Sequence, residues 1–398
     1  MWKNIEAAPA DSILGLTEAF RSDENPRKVN LGVGVYKDED GNTPILECVK
    51  VAEKMLLEKE GTKSYLPISG DPVYTAEVQK LLFGEDSEVV ESGRAATAHA
   101  PGGTGALRVG SELLKKFRPD ATVWISSPTW ANHNGIFKTA GFELAEYEYY
   151  DSETKAVNFE AMTASLEQVP AGDVVLLHGC CHNPSGVDLS PVQWKKVAAI
   201  GKEKGWVPFV DFAYQGFGEG VEEDRCAIEE FAATGLDFIV ASSFSKNFGL
   251  YNERTGALTI VSPTKGEAAV AMSHLKTTIR VIYSNPPAHG GLVVATILSN
   301  TELRSQWLEE LSEMRNRIKE MREMLVEGLG DRGVRGDFSY ITAQRGMFSF
   351  SGLNDDVVQW LRTNKAIYVV GGGRINLAGL TQTNIGYVCD SIAEALGG

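Results

Sequence analysis

Ala241-Ser242-Ser243-Phe244-Ser245-Lys246-Asn247-Phe248-Gly249-Leu250-Tyr251-Asn252-Glu253-Arg254-Thr255-Gly256 is the stretch on which the reading of this chain turns. The apolar run Phe238-Ile239-Val240-Ala241 ahead of it reads as a buried strand. It gives way to hydroxyls, a lysine, a glycine-bearing turn and an arginine. A lysine at the end of a buried strand is costly, because desolvation opposes its charge and lowers its pKa. A lowered pKa is also what a lysine needs to react through its amine. Ser243, Ser245 and Arg254 are donors of the kind that gather around a phosphate. Ser-x-Ser-Lys alone is a short motif, equally readable as a strand end with a surface lysine, so the rest of the chain decides.

Outward from that stretch the pattern alternates. Thr122-Val123-Trp124-Ile125, Val174-Val175-Leu176-Leu177, Trp206-Val207-Pro208-Phe209-Val210 and Phe238-Ile239-Val240 are short, apolar and rich in β-branched residues. Helical stretches at about 104–117, 131–140, 190–204 and 226–234 separate them. This predicts an α/β fold with a mostly parallel sheet between helices. In such sheets ligands lie beyond the carboxyl ends of the strands, where Thr129-Trp130, Asn183, Asp211 with Tyr214, and Lys246 fall. Helices are also expected at 45–60 and 71–83, with the hydroxyl-bearing loop Lys63-Ser64-Tyr65-Leu66 between them. After Pro286-Pro287 the texture changes to long helices at about 288–299 and 301–329, then short strands and a last helix. Asn30-Leu31-Gly32-Val33-Gly34-Val35-Tyr36 reads as a strand completing this second domain, and Asp11-Ser12 as a cap for a first helix. The expected organisation is an arm at 1–14, a small α/β domain from 15–46 and 300–398, and a large domain at 47–299.

The chain of 398 residues is 43% apolar, which supplies a sizeable core. Its net charge of −15 argues against nucleic acid and anionic membrane as partners, because phosphate neutralisation needs an excess of Lys and Arg. An anionic substrate must then be held by a few placed arginines. No apolar run of membrane-spanning length occurs, and the start Met1-Trp2-Lys3-Asn4 lacks a signal-peptide core. Five scattered cysteines fit reduced thiols and a cytoplasmic protein.

Four constellations carry chemistry. Pro101-Gly102-Gly103-Thr104-Gly105 is a glycine-rich turn opening a helix, suited to a phosphate through its N–H groups and dipole. Val207-Pro208-Phe209-Val210-Asp211 ends a buried strand in a carboxylate that needs a partner, for which a pyridinium nitrogen would serve. Arg280, before Val281-Ile282-Tyr283-Ser284-Asn285, and Arg374, after Gly371-Gly372-Gly373, read as carboxylate clamps or as structural ion pairs. His178-Gly179-Cys180-Cys181-His182 invites a zinc reading, but adjacent cysteines do not readily converge on one tetrahedral ion, and no metal is expected. Ser243-Phe244-Ser245-Lys246 also fits S-x-x-K, but the S-D-N and K-T-G partners of that hydrolase class are missing. A lysine beside a phosphate site points to pyridoxal 5′-phosphate (PLP).

Together these pieces resemble the class I aminotransferases of PLP fold type I, specifically the aspartate aminotransferases, nearly end to end. The segments that carry the resemblance are Ser242–Arg254, His178–Pro184, Tyr283-Ser284-Asn285-Pro286-Pro287-Ala288-His289-Gly290, and the N-terminal Ala8–Asp11 and Asn30–Asp38. The resemblance implies a seven-stranded sheet in the large domain and PLP held as a Schiff base on Lys246, which then carries the proton. It implies that Asp211 pairs with the pyridine nitrogen, backed by His133, and that Tyr214 and Asn183 bind the phenolic oxygen while Trp130 stacks on the ring. Gly103, Thr104, Ser243, Ser245 and Arg254 would hold the phosphate with Tyr65 of a neighbouring subunit. Arg374, aided by the backbone near Gly34, would take the α-carboxylate, and Arg280 of the neighbour the distal one, which requires a homodimer. The implied reaction is ping-pong transamination of L-aspartate and 2-oxoglutarate to oxaloacetate and L-glutamate. Aromatic amino acid transamination, or a β-lyase or decarboxylase on the same scaffold, is the alternative. Val35, Lys37, Thr43, Thr104 and Asn285 look like the aspartate type, whereas Ser64 and Val281-Ile282 depart from it.

Overall fold

A computed structural model describes residues 2–7 and 14–397. The expected Asp11-Ser12 cap, the Ala8–Asp11 segment and much of the 1–14 arm lie outside the described residues. The chain forms two compact units, Pro44–Asn316 and Met1–Thr43 with Arg317–Gly398.

The larger unit is built on a seven-stranded sheet. Its order across the sheet is Ala95–Pro101, Thr255–Val261, Phe238–Ser243, Val207–Phe212, Val174–His178, Thr122–Ser127 and Glu143–Glu148. Thr255–Val261 runs antiparallel to both neighbours, and the other pairings are parallel. Every residue of Val174–His178, Phe238–Ser243 and Thr255–Val261 is buried, the pattern of a sheet covered on both faces. The covering helices start and stop where their local chemistry dictates. Pro191–Lys204 opens with a Ser190–Gln193 capping box and Pro191 in its first turn, and ends at Gly205 in the left-handed region. Pro72–Phe83 is capped by Asp71, whose carboxylate accepts from the Val73 and Tyr74 amides.

The helix Thr301–Asp331 is cut by the division between the units, whereas the sequence places all of it with the C-terminal part. Side chains explain the difference. Trp307 stacks on Phe248 at 4.5 Å and donates its Nε1–H to the Asn247 carbonyl at 2.7 Å. Glu310 accepts from the Glu47 and Cys48 amides. These bonds hold the first half of the helix to the larger unit.

In the smaller unit, Val29–Asn30 pairs in parallel with Ile367–Tyr368, and Phe348–Phe350 antiparallel with Arg374–Asn376. The strand expected over 30–36 is therefore only two residues long. Beyond it, side chains replace the ladder: the Asn30 carboxamide accepts from the Gly32 amide, and Asn376 Nδ2 donates to the Val33 and Val35 carbonyls. The buried Arg322 donates to the carbonyls of Ile341, Gly346 and Phe348, anchoring the segment that leads into Phe348–Phe350. Among the described residues no helix is long and apolar enough to cross a membrane.

One buried side chain in the larger unit is titratable without a hydrogen-bond partner. His99 on Ala95–Pro101 is fully buried, and neither ring nitrogen is bonded. It lies 4.4 Å from the Tyr74 ring, and a Cβ on Gly70 or Gly291 would come within 2.5 Å of it. Burial pushes its pKa down from 6.5 to about 4. The unfolded chain therefore binds a proton that the folded chain refuses, so stability is complete above pH 6.5 and falls as the pH drops toward 4. The full loss is about 3 kcal/mol, at 1.36 kcal/mol per pKa unit. His99→Met removes this loss. Its acid-unfolding midpoint, followed by circular dichroism, is expected below that of the parent; an unchanged midpoint would refute the assignment.

Candidate active site

The carboxyl ends of the parallel strands bring the chemistry together. Register aligns His178 with Asp211 and Asp211 with Ala241, and Lys246 follows three residues after Ser243. The turn carrying Lys246 is pinned by the Trp307 bond to the Asn247 carbonyl and by Asn247 Nδ2 donating to the Gln215 carbonyl at 3.2 Å. Lys246 is partly buried, its Nζ 4.8 Å from the centre of the Tyr214 ring. Desolvation lowers its pKa, with a further push from Arg254, while Asp211 opposes the shift. The net shift is downward, toward the neutral form.

Asp211 sits in a sequence of bonds whose proton directions can be derived. The Asn183 amide approaches His178 Nδ1 at 3.5 Å, which makes that nitrogen an acceptor. Burial holds His178 neutral, its pKa pushed down to about 3, so its proton is on Nε2 and is donated to Thr129 Oγ1 at 3.0 Å. Thr129 then donates its own proton to His133 Nδ1 at 2.8 Å. This leaves His133 Nε2 as the donor to Asp211 Oδ2, at 2.9 Å. Burial alone would raise the Asp211 carboxyl. The His133 bond, helped by the neighbouring imidazoles and Lys246, outweighs it and holds the group below the usual carboxylate value. His182, 4.3 Å from His178, is occupied by Ser126 and Ser185. The His178–His182 segment thus contributes His178 to this network, and among the described residues no group of three or more His, Cys, Asp or Glu could hold a metal ion.

Beside Lys246 lies a cradle of bare backbone. The helix Gly102–Phe117 begins without a side-chain cap, leaving its first N–H groups available. A Cβ on Gly102 would stand 2.5 Å from Arg254 Nη2, and one on Gly103 would stand 3.0 Å from Ser243 Cβ. A Cβ on Gly256 would strike the Gly102 carbonyl carbon at 2.6 Å. Arg254, itself at φ 54°, donates to the Tyr251 carbonyl at 2.9 Å and approaches Ser245 Oγ at 3.5 Å. Glycines, two serines, an arginine and a helix start are the donor set of a phosphate monoester site. Tyr74 Oη donates to the Gly256 carbonyl at 2.7 Å and fixes one wall.

Of the other expected residues, Trp130 sits at the start of helix Ala131–Thr139, edge-on to His133 at 5.2 Å. Asn183 and Tyr214 are buried in the same unit, and Thr104 is exposed in the first turn of its helix. Gly34 and Arg374 meet in the smaller unit against Phe348. The guanidinium lies 4.3 Å over that ring and donates to the Gly32 carbonyl at 2.7 Å, and a Gly34 Cβ would be 2.7 Å from it. Tyr65 is 90% exposed and Arg280 is exposed; among the described residues neither bonds to the cluster around Lys246.

The family "Aminotransferase class I and II" matches residues 26–392, a span that includes this whole constellation. This chain belongs to that family. It is 52% identical over 396 residues to an aspartate aminotransferase of Haemophilus influenzae, with 100% of both chains covered. It is similar in structure to an aromatic-amino-acid aminotransferase of Burkholderia pseudomallei solved covalently bound to pyridoxal phosphate. There the TM-score is 0.97 and the identity 51%, over 100% of this chain and 99% of the other. A psychrophilic aromatic amino acid aminotransferase of Psychrobacter sp. B6, cocrystallised with aspartic acid, superposes with a TM-score of 0.98 at 43% identity, over all of both chains.

Thr129 as a hydroxyl bridge and Tyr74 behind Gly256 in the larger unit, and Phe348 under Arg374 in the smaller one, escape sequence reasoning. Thr129 stands at a strand end, which is a signal of place without a role. Tyr74 acts across 182 residues and leaves no local signature. The derived proton directions give a test. Nitrogen-15 NMR of the parent should show the His133 proton on Nε2, and Thr129→Val, which removes the donor to Nδ1, should give a mixture of tautomers. A single Nε2–H tautomer in the variant would break the derivation.

Proposed function

We propose that this aminotransferase transfers the amino group of L-aspartate to 2-oxoglutarate, giving oxaloacetate and L-glutamate, with pyridoxal 5′-phosphate as its cofactor. The observation that carries this reading is the juxtaposition of a desolvated Lys246, a carboxylate kept ionised by His133, and a glycine-arginine cradle for a phosphate. The donor set fits the cofactor: the cradle takes the phosphate, Lys246 the aldehyde carbon, and Asp211 a protonated ring nitrogen. When bound, the cofactor supplies an electron-poor ring that accepts the electrons left behind when the substrate loses its Cα proton.

The residues divide the remaining work. Lys246 Nζ, its pKa lowered by burial, is the base that takes the Cα proton. Asp211 holds the proton on the ring nitrogen, and the His133–Thr129–His178 sequence keeps Asp211 oriented. Tyr214 and Asn183 bind the ring's phenolic oxygen, and Trp130 covers the ring. Gly103, Thr104, Ser243, Ser245 and Arg254 hold the phosphate. Arg374 takes the substrate α-carboxylate with the backbone at Gly34. Tyr65 and Arg280 are contributed from a second copy of the chain, Tyr65 to the phosphate and Arg280 to the distal carboxylate. Their exposure in the single chain, with Val281 82% exposed beside Arg280, supports a homodimer. The enzyme is proposed to be cytoplasmic, without membrane or nucleic-acid partners. Aromatic amino acids are the alternative substrate class, because Ser64 and Val281-Ile282 depart from the aspartate pattern.

Oxaloacetate formation from L-aspartate, followed through malate dehydrogenase and NADH, and phenylpyruvate formation from L-phenylalanine, followed by its ultraviolet absorbance, test the assignment. L-Aspartate with 2-oxoglutarate should be turned over with a kcat/KM at least tenfold above that for L-phenylalanine, and Lys246→Ala should abolish both. Arg280→Ala should lower kcat/KM for aspartate by about 100-fold, the cost of leaving a buried carboxylate unpaired, and spare phenylalanine. Preference for phenylalanine in the parent would move the assignment to the aromatic class.

A further inference from the structure

The helix Lys265–Ile282 ends in a way that sets Ser284 apart. Tyr283 and Ser284 both donate their amides to the Ile279 carbonyl, closing the last turn. Ser284 then adopts φ 68°. Glycine is the default residue at such a left-handed helix end, because a side chain is strained there. A serine in its place points to a use for its hydroxyl.

That hydroxyl has two partners. Arg280 Nη1 donates to Ser284 Oγ, and Ser284 Oγ donates to Asn285 Oδ1 at 3.0 Å. Asn285 Nδ2 donates in turn to the Leu66 carbonyl at 2.8 Å. All three bonds run in the same sense, each donor polarised by the charge behind it. The sequence starts at an exposed guanidinium and ends on the residue next to the exposed Tyr65. Both segments are also tied to one strand residue: the His99 amide donates to the Ser69 carbonyl, and Tyr283 Oη donates to the His99 carbonyl, each at 2.9 Å.

We propose that Ser284 is a positioning residue for Arg280, and that Ser284 and Asn285 join Arg280 to the Tyr65 segment as a single hydrogen-bonded module that one subunit presents to the other. This rests on the reading of Arg280 as the distal-carboxylate clamp. Without the relay an arginine on an exposed helix end would sample many rotamers, and the entropy of fixing it would be charged to substrate binding. With the relay the fork is set in advance for a dicarboxylate, and occupancy of Arg280 is felt at Tyr65.

The test uses the full-length, PLP-loaded protein and succinate, a dicarboxylate without an amino group, as a binding probe read by protein fluorescence. Ser284→Gly suits the backbone and deletes only the hydroxyl, so its melting temperature should equal or exceed that of the parent. Its Kd for succinate should rise about 10-fold, the scale of one hydrogen bond to a charged group, and its aspartate-to-phenylalanine selectivity should fall by the same factor. Asn285→Ala should weaken succinate and also speed PLP loss on dialysis, because it severs the link to the Tyr65 segment. If Arg280→Ala fails to weaken succinate, the clamp reading itself is wrong. If Arg280→Ala weakens succinate but Ser284→Gly matches the parent in Kd and selectivity, the clamp stands and the positioning role is overturned. If Asn285→Ala leaves PLP loss unchanged, the coupling to Tyr65 is overturned.

Discussion

A carboxylate buried at the end of a central strand is the constraint on which the rest of this site depends. Left alone, Asp211 would take up a proton and lose its usefulness as an anion. The fold prevents this with one hydrogen bond from His133, and that bond is only as good as the tautomer behind it. The tautomer is set by Thr129, Thr129 is set by His178, and His178 is kept neutral by burial. Thr129, His178 and Asp211 stand at three strand ends and His133 in the helix Ala131–Thr139, so the alignment of the parallel sheet is itself part of the electrostatics. A slip of one residue between Val174–His178 and Val207–Phe212 would reverse which face each side chain occupies and break the sequence of bonds.

The lysine and the anion cradle meet the opposite demand. Asp211 must stay charged, while Lys246 must be able to shed its charge. Burial acts on both groups, and the difference lies in their neighbours: an imidazole donor for the acid, and an arginine working against the ammonium for the amine. The cradle is shaped by leaving side chains out. Gly102, Gly103 and Gly256 crowd so closely that a methyl group on any of them would collide with a neighbour at 3.0 Å or less.

Much of this was legible in the sequence, and the reasons are physical. Strands buried on both faces read as unbroken apolar runs, so the core of the sheet and the residues at its carboxyl ends could be placed from the chain alone. The helix expected over 190–204 is bounded in the structure by the Ser190 capping box and by Gly205. Long-range side-chain bonds could not be read in this way. The expected strand over 30–36 stops after Asn30 because carboxamides of Asn30 and Asn376 satisfy its backbone in place of a neighbouring strand. The start of Thr301–Asp331 belongs with the larger unit because Trp307 and Glu310 find partners there. Ser284 is legible only once its backbone angle is known, since a serine after a tyrosine carries no local signal of a left-handed turn.

The reversed strand Thr255–Val261 bears on the order in which the site assembles. A parallel neighbour must arrive by a crossover of a dozen or more residues, often with its own helix. An antiparallel one returns directly. Here the chain leaves the sheet after Ser243, passes through Lys246 and Arg254, and re-enters at Thr255 alongside the strand it has just left. The Lys246 amine and the Arg254 guanidinium are therefore joined by a short loop whose closure costs little entropy, whereas Asp211 and the glycine turn are brought in over far longer separations. In a folding chain the loop from Ser243 to Thr255 can close as a local event, and the glycine turn and the acid arrive with the rest of the sheet.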